Sequence, residues 1–521
     1  MAKFVTAREA IESVESGDML MVNSFFTTAN PQQLLVALNR RIEEKDDLRD
    51  LSIFCPGPFG YWDVNFPSEQ CMKHSQAVTK FYCGHYASIP IVSDRVARND
   101  IEAYNFPMGT MCHMIRASAA RSPFYITKTG LNCFADPRVG HCGLNERSKE
   151  QWIKVVELGG QEYLSYKTPE PNVAIMRGTS SDEKGNISFE KEYSVADALT
   201  MAQAVKTNGG TVIVQVERIS TEHRRPWNII IPGVLVDYVV VCPEQGQSSD
   251  AVYDSRLSGD VKPTREQLLN YVLETKKLAV SPADGGKAKR GAASELVWTR
   301  AAKFLEDGDR VNIGIGLPEG VGFRAAESGM LSNITLLVET GGIGGVPIGG
   351  KGFGATVGAD CYLSMVQNFD FYDGGGICKS FVGCLEIDGK GDINAHYVNG
   401  FIAGIGGFIN VTQRTKNVYF CTTFTAGGLE VEVENGSLKI LSEGKTCKFV
   451  EKVRAVSFSS KNSAYVNQQV YIITERCVLK REKADWKLLE IVKGVDLQRD
   501  VLDKIPFKVV VGDGLKVVDA E

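Results

Sequence analysis

One carboxylate in this sequence stands at a place suited to covalent chemistry. Glu339 follows the apolar, β-branched run Ile334-Thr335-Leu336-Leu337-Val338, which predicts a buried strand. The glutamate would emerge at the carboxyl end of that strand, where open α/β sheets place their ligands. Four of the next six residues are glycines, which removes side chains from around the carboxylate and lets a substrate approach. The pattern indicates a nucleophile, although strand-end glutamates followed by glycine also occur without any catalytic role.

Two further glycine-rich segments could serve such a nucleophile. Gly404-Ile405-Gly406-Gly407-Phe408 offers backbone N–H groups that can point at a developing oxyanion. The same segment is equally compatible with a tight turn between strands. Gly314-Ile315-Gly316-Leu317-Pro318 lies between a predicted strand and a predicted helix, and its G-x-G pattern is a weak signal by itself.

The elements that must position these residues predict an α/β protein. Strand-like runs such as residues 211–216 alternate with helical patterns such as residues 194–206, as in parallel sheets covered by helices. Each half of the 521-residue chain begins with a helix-like segment, a strand and a proline-containing loop, and later has a similar turn, at residues 184–188 and 390–394. We therefore predict two related open α/β domains with mainly parallel sheets.

The domain boundaries follow from a change in composition. Residues 244–292 lose strand character and become polar, which predicts a linker carrying one helix at residues 265–278. The first domain would then span residues 1–243 and the second, which carries Glu339, residues 293–521.

Several motifs along the chain occur together in one known family. They are the Glu339 loop, Asn105-Phe106-Pro107, Thr129-Gly130-Leu131, Asp136-Pro137-Arg138, Arg177-Gly178-Thr179, Gly185-Asn186-Ile187-Ser188, Ile231-Pro232-Gly233 and Gly404-Ile405-Gly406-Gly407-Phe408. With these motifs in this order, the chain resembles the family I coenzyme A transferases, specifically the acetate/propionate CoA-transferase branch. The resemblance implies a homodimer or homotetramer that acts on acyl-CoA and a short-chain carboxylate.

The resemblance also implies a mechanism and a set of site residues. Glu339 would attack an acyl-CoA, form a mixed anhydride, and be converted by the released thiolate into a glutamyl-CoA thioester, from which an incoming acid takes the CoA in a ping-pong cycle. Coenzyme A is then a substrate, and no cofactor is bound permanently. The residues implied to contact CoA are Gly314, Ile315, Gly316, Leu317, Pro318, Gly404, Gly406 and Gly407.

Two departures from the family pattern lie in the first domain, which would form the pocket for the carboxylate. Where relatives have G-G-F-x-x-x-G-x-P, this chain has residues 23–31, with every glycine replaced. Relatives also carry an oxyanion-donating glutamine after Asn-Phe-Pro, but here the position is Met108, which cannot donate. Asn23 or Gln33 could supply the missing hydrogen bond. Losing one such donor typically reduces the rate by about 10²–10³. The altered loop leaves the acid undetermined.

Two other functions remain open at this point. An acyl-CoA hydrolase could use His113 or His141 as a general base, although neither lies in a recognisable nucleophile motif, and the surroundings of His113 favour helix packing. A catalytically idle CoA-binding protein would keep the fold and lose the acceptor. Arg116 and Arg177 could bind a carboxylate or a phosphate, although arginines in structural ion pairs are commoner.

The composition narrows the possible partners. A net charge of -5 and a pI near 5.9 give no electrostatic reason to expect nucleic acid or an anionic membrane. The N-terminus resembles neither a signal peptide nor a transit sequence, so we expect a cytoplasmic protein. The thirteen cysteines are scattered as expected for free thiols. We predict no metal site, because Cys133, His141 and Cys142 lack a fourth ligand at the usual spacing.

Overall fold

The computed structural model describes residues 2–222, 225–248, 252–278, 291–349, 352–398 and 400–520. The end of the predicted linker at residues 279–290 lies outside the described residues. The described part of the linker contains the helix Arg265–Leu278, as predicted, and the short helix Ser255–Ser258. In the described residues, no helix is long and apolar enough to cross a membrane. All thirteen cysteines are free.

The first half of the chain forms an eight-stranded sheet whose strands pair in parallel throughout. The buried, β-branched strands at its centre are those expected for a sheet covered on both faces. The strand order is Lys3–Val5, Tyr238–Val241, Thr211–Val216, Val173–Arg177, Met19–Val22, Leu51–Cys55, Val78–Cys83 and Glu102–Asn105.

The second half forms another eight-stranded sheet, which is parallel except around one antiparallel strand. The strand order is Thr335–Leu336, Arg310–Ile313, Lys379–Gly383, Asn417–Cys421, Gln469–Ile473, Cys477–Glu482, Asp485–Val492 and Val509–Val518. The two mainly parallel sheets confirm the predicted fold class.

Short strands extend both halves in comparable ways. The turns predicted to be similar join short antiparallel strands in each half, Ser180–Ser181 with Ile187–Ser188 and Glu386–Asp388 with Ile393–Asn394. The remaining small strands are Phe124–Thr127, Ile153–Leu158, Gln161–Lys167, Arg218–Ile219, Ile229–Ile231, Gly342–Ile343, Val346–Pro347, Thr356–Val357, Cys361–Tyr362, Tyr397–Val398, Phe401–Ile402, Thr425–Ala426, Glu430–Glu434, Ser437–Ser442, Thr446–Cys447 and Phe449–Val450.

Helices cover the sheets and join the two halves. The α-helices are Ala7–Ile11, Gln32–Lys45, Pro90–Ala97, Met108–Ala119, Ala198–Thr207, Ser255–Ser258, Arg265–Leu278, Ala292–Ala302, Gly320–Glu327, Met365–Asp373, Phe408–Thr412 and Ser460–Tyr465. Met108–Ala119 of the first half packs against Met365–Asp373 and Phe408–Thr412 of the second. The Gly109 N–H donates to Asn410 Oδ1 at 3.1 Å across this contact, so the two halves meet closely beside the Glu339 loop.

Two predicted elements differ in length from those observed. The strand predicted over residues 334–338 is only Thr335–Leu336, because the chain turns back at once and Leu337 pairs with Ile343. The helix predicted over residues 194–206 begins at Ala198. The residues before it instead form contacts with the Glu339 loop.

Candidate active site

The backbone on either side of Glu339 is fixed by a tight turn and a buried asparagine. The Val338 N–H donates to the Gly342 carbonyl oxygen at 2.9 Å, which closes the turn. Asn368 is fully buried, and its Nδ2 donates to the carbonyl oxygens of Val338 at 2.7 Å and Glu339 at 3.3 Å. These bonds use backbone groups and leave the Glu339 side chain unconstrained by them.

Contacts from elsewhere in the chain hold the residue after Glu339. The Ser194 hydroxyl donates to the Thr340 carbonyl oxygen at 2.8 Å, and the Thr340 hydroxyl donates to the Gly354 carbonyl oxygen. Ser194 precedes a helix of the first domain, so this domain helps to position the loop that carries Glu339. The helix begins late because Ser194 lies in the segment that makes this contact.

The glycines after Glu339 have a different role from the one predicted. Gly341 has a φ of 108°, which glycine adopts without strain, and a Cβ there would overlap the Leu363 carbonyl oxygen. The glycines therefore pack against the neighbouring hairpin and do not leave open space around the carboxylate. The glycine that borders the Glu339 carboxylate is Gly407, where a Cβ would lie 2.6 Å from Cδ, 2.7 Å from Oε1 and 2.9 Å from Oε2.

The surroundings of the Glu339 carboxyl group determine its pKa. It lies in an apolar setting and accepts no hydrogen bond from the described part of the chain. Burial disfavours the charged form and raises the pKa of Glu339 to about 7. A carboxylate that accepts no hydrogen bond from the protein has no such bond to break before it reacts.

The carboxylate faces an interdomain cavity of about 360 Å³. Most of the lining is apolar, and the described residues that line it include no lysine or arginine. The first domain contributes Phe25, Phe26, His85 and Met108, and the second contributes Asn312, Ile313, Gly314, Ile315, Leu337, Val338, Glu339, Pro347, Ile348, Phe353, Gly354, Val382, Gly383, Cys384, Leu385, Ala395, Ala403, Gly404, Ile405, Gly406, Gly407, Phe408 and Val411.

Asn105 joins the glycine segment 404–408 to the first domain. Its Nδ2 donates to the carbonyl oxygens of Cys83 at 2.8 Å and Gly84 at 2.7 Å, and its Oδ1 accepts from the Ile405 N–H at 3.0 Å. The Gly406 N–H donates to the Gly84 carbonyl oxygen at 2.7 Å. The buried asparagine thus satisfies backbone groups of both domains at the edge of the cavity.

Two of the N–H groups expected to face a substrate are therefore engaged within the protein. The Ile405 and Gly406 N–H groups bond to the first domain. The Gly407 N–H has no acceptor among the described residues, and Gly407 is the residue that touches the Glu339 carboxylate. Of these three N–H groups, that of Gly407 is available to a ligand.

Two known proteins similar to this chain over most of its length are CoA transferases. The family model described as "Coenzyme A transferase" matches residues 4–242. The chain is 37% identical to acetate CoA-transferase YdiF of Escherichia coli O157:H7 over 93% of this chain and 88% of that protein. It is 33% identical to caffeate CoA-transferase of Acetobacterium woodii over 100% of this chain and 97% of that protein. The chain belongs to the coenzyme A transferase family.

Solved structures agree with this CoA-transferase assignment. The crystal structure of the acyl-CoA transferase YdiF apoenzyme from Escherichia coli O157:H7 has a TM-score of 0.90 and 34% identity, covering 100% of this chain and 95% of that one. The thioester complex of YdiF with CoA has a TM-score of 0.89 and 34% identity over the same shares.

Only part of the segment predicted to line the CoA channel of this CoA transferase borders the cavity. Gly314 and Ile315 line the cavity. Gly316, Leu317 and Pro318 are not among the described residues that line it. Gly316 caps a short helix and donates its N–H to Glu319 Oε1 at 2.8 Å, while the Leu317 carbonyl oxygen accepts from Trp298 Nε1 at 2.5 Å.

Of the three residues predicted to form the acid pocket, only one is among the described residues that line the cavity. Met108 lines the cavity, but Asn23 and Gln33 are not among the described lining residues. Asn23 is fully buried, and its side chain is satisfied there: it donates to the Val195 carbonyl oxygen at 3.2 Å and accepts from the Asp197 N–H at 2.9 Å. Gln33 lies at the start of a helix and faces a different groove. The structure therefore does not bring either amide to Glu339.

The two histidines considered as general bases of a hydrolase lie away from this cavity. His113 is buried in the interdomain helix packing, with Nε2 2.9 Å from Asp370 Oδ1, and His141 is exposed with Nδ1 accepting from the Gly143 N–H at 2.9 Å. Neither is among the described residues that line the cavity. His85 does line it, and no motif in the sequence indicates this, because the contact depends on the docking of the two domains.

Proposed function

We propose that this CoA transferase moves coenzyme A between monocarboxylic acids through a glutamyl-CoA thioester on Glu339. The observation that carries the proposal is the Glu339 carboxylate, which lies without hydrogen-bonding partners among the described residues in an apolar interdomain cavity, against Gly407. The thioester complex with CoA in the YdiF structure supports it as well. Acyl-CoA and a carboxylate are then the two substrates, and CoA is not a resident cofactor.

The chemistry follows from attack by the carboxylate. A Glu339 oxygen adds to the acyl-CoA carbonyl carbon, the carbon–sulfur bond breaks, and the CoA thiolate leaves with the electron pair, giving a mixed anhydride. The thiolate then attacks the Glu339 Cδ, and the first acid leaves as a carboxylate. An incoming acid reverses both steps and departs as the new acyl-CoA. An apolar cavity excludes the water that would hydrolyse either intermediate.

The charge of the cavity supports monocarboxylic acids as substrates. The carboxylate that becomes acylated reacts at Glu339, but a second carboxylate would have to be buried among apolar groups. The described residues that line the cavity offer it no cationic partner, and burying an unpaired charge is strongly unfavourable. The names of the two relatives, acetate and caffeate CoA-transferases, correspond to acids with one carboxylate each.

The first experiment is a mass analysis of the protein mixed with propionyl-CoA in the absence of an acceptor. We expect a CoA adduct on the peptide that contains Glu339, because the cycle stops at the glutamyl thioester. Adding acetate should discharge the adduct as acetyl-CoA, whereas succinate should discharge it far more slowly. Continuous release of CoA without an adduct or an acceptor would indicate a hydrolase instead.

Glu339→Gln is the matched control. The amide has nearly the same shape but cannot form the anhydride, so the variant should remain folded by circular dichroism and show neither adduct nor exchange. CoA exchange at near wild-type rate in this variant would remove Glu339 from the mechanism.

A further inference from the structure

The cavity contains few side chains that could stabilise an oxyanion. The described lining side chains with an N–H donor are Asn312 and His85. Of the two N–H groups of Asn312 Nδ2, one donates to the Leu337 carbonyl oxygen at 3.1 Å, and the same side chain also interacts with the Tyr372 hydroxyl. Met108 lines the same region, and its thioether cannot donate. His85 is therefore the side chain to consider.

His85 is held at the cavity by its neighbours. It follows the strand Val78–Cys83 by two residues, and its ring lies 5.7 Å from the ring of Phe26 and 5.9 Å from that of Trp62. Its Nδ1 lies 3.1 Å from Ser88 Oγ. Its Nε2 has no partner among the described residues. One ring nitrogen is thus anchored, and the other is free to meet a ligand.

The hydrogen bond between His85 and Ser88 determines which ring nitrogen of His85 carries the proton. Burial lowers the pKa of His85 to about 4, so the ring is neutral near pH 7 and carries one N–H. Ser88 is fully buried, and among the described residues its hydroxyl has only His85 as a partner. If Nδ1 carried the proton, the hydroxyl hydrogen of Ser88 would lack an acceptor. Donation from Ser88 to Nδ1 satisfies both groups and leaves the proton on Nε2.

The glycine segment connects His85 to the nucleophile. Gly404 has a φ of 94° and is so close to His85 that a Cβ there would lie 2.5 Å from the His85 Cα. Three residues later, Gly407 touches the Glu339 carboxylate. The backbone of His85 and the carboxylate of Glu339 thus contact the same short segment, at the wall of one cavity.

We propose that His85 donates a hydrogen bond from Nε2–H to the oxyanion that forms when Glu339 attacks the acyl-CoA carbonyl. The inference rests on the proposed function and adds a second catalytic residue to it. No proton is transferred to the oxyanion: the electron pair of the carbonyl moves onto oxygen, is stabilised by Nε2–H and by the Gly407 N–H, and returns as the CoA thiolate leaves. Ser88 acts as a positioning residue that holds the tautomer.

Three substitutions of His85 test the position of the donor. The amide nitrogen of glutamine can occupy the place of Nε2, that of asparagine falls near Nδ1, and leucine has no donor. Single-turnover formation of the Glu339 adduct from propionyl-CoA should slow by about 10²–10³ in H85L and H85N, with little change in KM. The adduct should form at least about tenfold faster in H85Q than in H85L. Adding M108Q to H85L should recover part of it as well.

The outcomes separate this inference from the proposed function. Absence of the adduct in the wild-type protein would refute the glutamyl-CoA mechanism. A normal wild-type adduct together with an H85L rate within about threefold of wild type would overturn only the role of His85. Equally slow, folded H85L and H85Q variants would also overturn it, because they would indicate a packing role.

A measurement on the unmodified protein complements the variants. Nitrogen-15 NMR of labelled histidines distinguishes a protonated Nδ1 from a protonated Nε2. We expect the Nε2–H tautomer for His85, with a signal that shifts to the other tautomer or becomes mixed in S88A. A protonated Nδ1 in the wild-type protein would contradict the proposed donation into the cavity.

Discussion

Replacing Gly407 by alanine should uncouple catalysis from stability. The new Cβ would lie 2.6 Å from the Glu339 Cδ, whereas carbon atoms in contact are separated by about 3.5–4.0 Å. The carboxylate must therefore retreat by about 1 Å, a displacement that can reduce a rate by about 10². Gly407 has a φ of -83°, which alanine adopts without strain, and the displaced group is the end of a flexible side chain. The unfolding free energy should change by less than about 1 kcal/mol.

The assay is single-turnover formation of the Glu339 adduct from propionyl-CoA, with urea unfolding measured in parallel. Gly383→Ala is the matched control, since Gly383 lines the same cavity and a Cβ there would meet nothing within 4 Å. It should load CoA within about threefold of the wild-type rate. Wild-type loading by G407A, or a loss of stability that accounts for its slow loading, would refute the placement of the carboxylate against this glycine.

Two further predictions concern pH and domain docking. Burial raises the pKa of Glu339 to about 7, so its ionised, reactive fraction should grow from about 9% near pH 6 to about 91% near pH 8. Adduct formation should therefore accelerate about tenfold over that range. A single-turnover rate that does not change with pH would contradict this prediction. Asn105→Leu leaves the buried Cys83 carbonyl oxygen and Ile405 N–H without their side-chain partner. Urea unfolding should therefore show a decrease of about 2–4 kcal/mol in the free energy of unfolding. Unchanged stability would show that Asn105 does not hold the two domains together.

The fold class could be predicted, and Glu339 could be proposed as a site residue, from local pattern, because a β-branched run followed by glycines carries the signal within a few residues. The roles of the neighbouring residues could not. The glycines after Glu339 were expected to open space, but they pack against a hairpin whose position depends on tertiary structure. The helix expected from residue 194 begins at Ala198, because Ser194 bonds to Thr340, far away in the chain.

His85 and Asn105 illustrate the same limit. Asn105 belongs to a motif that suggested the family, but its hydrogen bond to the Ile405 N–H, which joins the two domains, could not be predicted from that motif. His85 has no distinguishing sequence context at all. Both residues acquire their roles through contacts between the domains, which hydrophobic periodicity within one domain does not encode.

The bonds from Ser194 to Thr340 and from Asn105 to Ile405 also have a consequence for synthesis, because each joins residues of the two halves. A ribosome releases the first domain before the second, and domains generally fold as they emerge. The first sheet contains its full set of strands by residue 241, but Glu339, the proposed nucleophile, lies in the second half of the chain. The glutamate in turn gains its final setting only after the glycine segment has been translated and docked. Under the proposed mechanism, a growing chain cannot load CoA before residues 404–408 have been translated, since the cavity around Glu339 is completed by contacts between the two halves.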